Sequence, residues 1–159
     1  MKKVYLTLTI VFAFISCNCQ KKAVEETSPA TKISATDQET LSPKLEYVAN
    51  TRGFYQKITI QNQMVTVTSD REGNDKGKTV RISDADWNQL MTAFKKIKLV
   101  DLPTFKDPTQ KRFYDGAAIA DLKVTDGKGK VYQTVNFDHE FPPVEIEKLV
   151  NKIVSFGKK

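Results

Sequence analysis

Ala117-Ala-Ile-Ala-Asp-Leu-Lys-Val-Thr125, then Asp126-Gly-Lys-Gly129, then Lys130-Val-Tyr-Gln-Thr-Val-Asn-Phe137: on this stretch the fold turns. Apolar and polar side chains alternate along both arms. Ala118, Ala120, Leu122 and Val124 fall on one face of the first, and Val131, Val135 and Phe137 on one face of the second. A four-residue loop sets Thr125 opposite Lys130, so opposed residue numbers add to 255. That register brings Ala118 to Phe137, Ala120 to Val135 and Val124 to Val131. A slip of one residue separates all three pairs.

A second hairpin precedes it. Phe54 to Ile60 and Val65 to Val67 flank Asn62-Gln63, and a two-residue loop there pairs Ile60 with Val65 and Ile58 with Val67. Leu45 to Ala49 is a short candidate strand, and Thr79 to Ile82 is another that runs directly into a helix. Asp70 to Lys78 is charged and holds two glycines, and reads as an exposed loop. Its acids do not follow the EF-hand spacing, and three cations interrupt them.

Two amphipathic helices complete the pattern. Ser83 is an N-cap with Asp86 three residues on, and Trp87, Leu90, Met91, Phe94 and Ile97 line one face. Lys95, Lys96 and Lys98 suit its negative end. The last helix starts near Pro142-Pro143, buries Ile146, Leu149, Val150, Ile153 and Phe156, and stops at Gly157. Leu99 to Tyr114, with Pro103 and Pro108, is irregular. The expectation is an α+β domain: an antiparallel sheet of about five strands from two β-hairpins, with two amphipathic helices packed on one face.

The start of the 159-residue chain reads as a leader rather than as fold. Lys2 and Lys3 precede an uncharged, mostly apolar run from Val4 to Ile15, which is short for a membrane span and of secretory length. Phe14-Ile-Ser-Cys17 resembles a bacterial lipobox, although Phe14 stands where Leu is usual. The resemblance implies cleavage after residue 16, lipid on Cys17, and Asn18 as a pointer towards an outer membrane. Residues 17–43, rich in Thr, Ser, Ala, Lys and Glu, form a tether with too little apolar surface to fold. Residues 44–159 form a single domain, large enough to bury roughly two-thirds of its unfolded surface.

Both cysteines, Cys17 and Cys19, lie beside the leader, so the domain holds no disulfide and no thiol nucleophile. The net charge of +6 falls to +4 without Lys2 and Lys3, which suits solubility or anionic neighbours. The basic residues form no stripe with interleaved aromatics, which argues against nucleic acid. There is no Gly-x-Ser-x-Gly elbow, His-Glu-x-x-His pair or phosphate-binding glycine loop, and no cofactor or metal is expected.

One polar constellation remains. The register of 255 gathers Arg112, Tyr114, Asp115, Asp138, His139 and Glu140 at the open end of the second hairpin. His139 is the sole histidine, and beside carboxylates it could be a general base or a metal ligand. Equally, these are polar groups solvating a strand end.

The leader with Cys17, Arg52-Gly-Phe-Tyr55, Asp115-Gly-Ala-Ala118 and Phe137-Asp-His-Glu-Phe-Pro-Pro143 together resemble small hypothetical lipoproteins of Bacteroidota. That resemblance implies an address in the bacterial cell envelope and carries no activity to any residue. The expected function is a non-enzymatic, lipid-anchored envelope module that binds a partner protein or glycan, or supports an assembly. The alternatives are a periplasmic enzyme centred on His139 and an inhibitor of a secreted hydrolase.

Overall fold

The computed structural model describes residues 42–158; the leader, Cys17 and all of the tether before Ser42 lie outside the described residues. Seven strands and two helices follow in the order β1 (Lys44–Thr51), β2 (Phe54–Gln61), β3 (Met64–Thr68), β4 (Lys78–Arg81), α1 (Asp84–Phe94), β5 (Ile119–Thr125), β6 (Val131–Gln133), β7 (Phe137–Asp138) and α2 (Glu147–Phe156). Two 3-10 helices, Leu99–Thr104 and Lys111–Tyr114, interrupt the segment expected to be irregular. The α+β class and its antiparallel sheet are as expected, with more strands than five.

The sheet runs β4-β3-β2-β1-β5-β6, with β7 also on β5. β1 is longer than its sequence signal and lies at the centre, antiparallel to both β2 and β5. Alternation gives the layer two unlike faces. Leu45, Tyr47, Ala49, Ile58, Ile60, Ala120, Leu122 and Val124 point inward and are buried with Leu90 of α1 and with Ile146, Leu149, Val150, Ile153 and Phe156. At roughly 25 cal/mol per Å² of apolar surface, this shared core is the main stabilising term. On the outer face Glu46 is buried among Lys44, Lys57 and Lys123, at 3.1, 3.6 and 3.1 Å.

The first hairpin has the expected register, Ile58 opposite Val67 and Ile60 opposite Val65. Asn62 and Gln63 both adopt positive φ, 50° and 61°, the signature of a type I′ turn that matches strand twist.

The second hairpin does not keep the register of 255. Asp126 N donates to Lys130 O at 2.9 Å and Gly129 N to Asp126 O at 3.0 Å, with Gly129 at φ +83°. The loop is therefore three residues closed by a left-handed glycine, not four. Thr125 faces Val131 and Val124 faces Tyr132, so Val131 turns outward and is 54% exposed. A second step follows. Leu122 N bonds Thr134 Oγ1 and Thr134 N bonds Leu122 O, both at 3.0 Å, while Ala120 faces Phe137. Val135 and Asn136 thus stand together opposite Asp121 as a bulge, which splits the arm into β6 and β7 and returns Phe137 to the core.

The helices differ from expectation at their ends. Ser83 Oγ accepts from Asp86 N at 3.1 Å, as a capping residue should, while the Asp86 carboxylate takes Lys152 Nζ at 2.6 Å and ties α1 to α2. α1 ends at Phe94, and Ile97 continues in a tighter turn through Phe94 O. α2 begins at Glu147 rather than at the prolines. Ile146 N closes a turn onto Pro143 O, and Ile146 itself is off helical geometry. Among the described residues no helix is long and apolar enough to cross a membrane.

Candidate functional site

β7 is only Phe137 and Asp138, and its two side chains leave opposite faces. Phe137 enters the core, so Asp138 must emerge on the outer side, where it is fully buried against Thr109 and the start of the 3-10 helix Lys111–Tyr114. A buried carboxylate is costly unless fully hydrogen-bonded. Asp138 accepts from Thr109 Oγ1, from Lys111 N at 2.7 Å, from Arg112 N at 3.1 Å and from Arg112 Nη1 at 3.0 Å. Burial pushes its pKa up, but these donors outweigh that and hold it below the usual carboxylate range. Arg112 also binds Asp107, and the two carboxylates raise its pKa against the opposing effect of burial.

The clamp fixes a short turn above it. Gly116 N closes onto Lys111 O at 2.9 Å and Asp115 takes the left-handed conformation at φ 57°. Phe113 and Tyr114 project from this turn, 67% and 86% exposed. The Arg112 guanidinium lies 4.5 Å from the Phe113 ring centre, and Lys111 Nζ lies 3.7 Å from that of Phe141.

His139 looks the other way. Its backbone N extends the ladder to Ala118 O at 3.0 Å. Its Nδ1 lies 2.6 Å from the hydroxyl of fully buried Tyr47, and its ring packs 5.6 Å from that of Phe54. Burial lowers the imidazole pKa; Glu140 raises it and Lys158 lowers it further. Burial, aided by Asp121, raises that of the Tyr47 phenol.

The six residues gathered by the assumed register therefore separate. Arg112 and Asp138 form one ion-paired unit; Tyr114 and Asp115 belong to the turn it supports. His139 joins Tyr47 and Phe54, with Glu140 close enough to act on it through charge. Asp107, Thr109 and Tyr47 are the participants that sequence reasoning missed. Thr109 and Asp107 lie in a segment with no periodicity, and Tyr47 is 92 residues from its partner.

Both Asp138 oxygens already accept hydrogen bonds, which makes it an anchor for the turn rather than a base for substrate. Among the described residues no group of three or more His, Cys, Asp or Glu is arranged to hold a metal ion. The acids of loop 70–77 serve the loop itself: Asp70 accepts from Glu72 N and Asp75 N at 2.8 and 2.7 Å. Three cavities lie away from His139. One of 580 Å³ runs between α1 and α2 past Ala93, Val144 and Leu149, one of 410 Å³ opens under the β3–β4 edge, and one of 320 Å³ adjoins Tyr55 and loop 70–76. No family model, no curated protein and no solved structure matches this chain.

Proposed function

We propose that the protein is a lipid-anchored module of the bacterial cell envelope, held through Cys17, which binds an envelope glycan or protein without catalysing a reaction. The observation that carries this reading is the Phe113–Tyr114 turn. Two neighbouring aromatics stand in solvent on a backbone pinned from beneath by a fully buried carboxylate. Exposed aromatics lose few rotamers on binding and supply large contact area, so a fixed pair is suited to a sugar face or a protein surface. Arg112 supports the same reading, because its guanidinium is spent on Asp107 and Asp138 and on stacking against Phe113. The envelope address rests on the lipobox-like Phe14-Ile-Ser-Cys17 and on the resemblance to small lipoproteins of Bacteroidota.

Two measurements test it. Labelled palmitate should enter the wild-type chain and not Cys17→Ser; label retained in the variant would remove the anchor. Separately, the full chain carrying Cys17→Ser should be retained by one envelope fraction, sacculi or membranes. Changing Phe113 and Tyr114 together to Ser should weaken that retention roughly tenfold or more, with the melting temperature unchanged. Equal retention of both forms would rule out the aromatic turn as the binding surface.

A further inference from the structure

The sheet extends past its helical roof at one edge. Among the described residues β4 pairs only with β3, and its inward residues are Lys78, opposite Val67, and Val80, opposite Val65. α2 packs on β2, and Val80 remains 47% exposed although it lies on the core face. Beneath it the chain forms a trough of 410 Å³ walled by Val65, Val67, Val80, Ile82 and Phe156. That volume lies within the range of about 300–1,000 Å³ typical of small-molecule sites. Its floor is finished core: Val65, Ile82 and Phe156 are all buried.

The charges at its rim are unequal. Arg81 is 3.8 Å from Asp84 and 3.2 Å from Gln63, and Asp86 is paired with Lys152. Lys78 also lines the trough, and among the described residues it has no carboxylate within ion-pair distance. An apolar slot beside one uncompensated ammonium matches an unbranched hydrocarbon chain with a negative head. Along an extended strand Lys78 and Ile82 are about 13 Å apart, which a medium-chain acyl group spans. We infer that this trough binds a medium-chain fatty acid, its tail along Val67, Val80 and Val65 and its carboxylate at Lys78.

The site is independent of the aromatic turn and of any lipid on Cys17, and its test reads neither. The probe is decanoate, added below its micellar concentration to the full chain carrying Cys17→Ser. Amide NMR shifts at Val65, Val67, Val80 and Ile82 should saturate as one site. Butyrate, which lacks the tail, should leave them unmoved. Lys78→Glu should weaken decanoate roughly three- to tenfold, as expected for loss and reversal of a rim charge, and should strengthen decyltrimethylammonium. Val80→Asp should abolish decanoate binding while circular dichroism shows the fold intact. Shifts centred elsewhere, a response that does not saturate, or equal affinity of wild type for the cationic and anionic amphiphiles would each overturn the assignment. Because the NMR map uses the unaltered trough, it decides the question even where a substitution disturbs folding.

Discussion

The Tyr47 hydroxyl and His139 Nδ1 lie 2.6 Å apart, joining the centre of the sheet to the chain just past β7. Tyr47 is fully buried, and its ring also lies 6.3 Å from that of Phe137. The phenol has one proton and the neutral imidazole one free lone pair, so each satisfies the other inside the fold.

Stability should therefore depend on the charge of His139. Burial depresses its pKa below 6.5, so in the window below 6.5 the unfolded chain binds more protons than the folded one. This contribution is complete above 6.5 and drains as pH falls towards the folded value. Melting temperatures measured from about pH 8 to pH 5 should fall more steeply for wild type than for His139→Asn, whose amide oxygen still accepts from Tyr47. Parallel curves would show that the imidazole is not responsible. Tyr47→Phe should cost about 1–3 kcal/mol in urea denaturation, because it strands a partly buried acceptor.

Asp138 holds the 3-10 helix Lys111–Tyr114 through backbone as well as side chain. Asp138→Asn should destabilise by about 2–4 kcal/mol, since Arg112 then keeps only half of its buried compensation. The carboxylate is held below its ordinary 3.8, so its contribution is present above 3.8 and is lost as pH falls through the folded pKa. Hydrogen exchange should show the amides of Lys111 and Arg112 losing protection while α2 keeps its own. Uniform loss across the domain would mean that Asp138 supports the whole fold rather than this turn.

The two hairpins explain how much was readable. Asn62-Gln63 leaves one way to close a two-residue loop, and the apolar faces of β2 and β3 then coincide, so the register followed from the sequence. After Val124 the same reasoning met two added residues. Gly129 as a left-handed closer and the Val135–Asn136 bulge each shift the pairing by one, so Val131, expected on the face of Phe137, turns outward while Phe137 stays in the core. The register of 255 brings Arg112, Tyr114 and Asp115 to the end of the hairpin where Asp138, His139 and Glu140 lie, whereas Asp138 and His139, adjacent in the chain, face opposite ways. The helix faces were legible because 3.6-residue periodicity spans several turns. The Tyr47–His139 pair was not, because only the folded sheet brings it together.

Both shifts can be tested singly. Gly129→Ala meets no atom within 4 Å, but forces a β-carbon into φ +83°, so about 1 kcal/mol should be lost without other damage. Thr134→Val deletes the hydroxyl that takes Leu122 N and should cost about 1–3 kcal/mol. If Thr134→Val is neutral, the Leu122 amide has another acceptor and the bulge is not held by this hydroxyl.

Glu46 separates surface from interior electrostatics. It lies on the outer face opposite Lys123, with Lys44 and Lys57 also in reach. Burial alone pushes its pKa up; hydrogen bonds and charge from Lys123 and Lys44 outweigh that and bring it below 4.5. Glu46→Gln leaves three ammonium groups facing one another and should cost about 1–3 kcal/mol at low ionic strength. The lysines are more than a third exposed, so in about 1 M salt, where charges are screened beyond about 3 Å, most of that penalty should vanish. The loss in Asp138→Asn should persist, because its partners are covered. Urea titrations of both variants at low and high salt check this. A Glu46→Gln penalty that ignores salt would mean that the carboxylate acts through packing and hydrogen bonds rather than through the charge of the lysines.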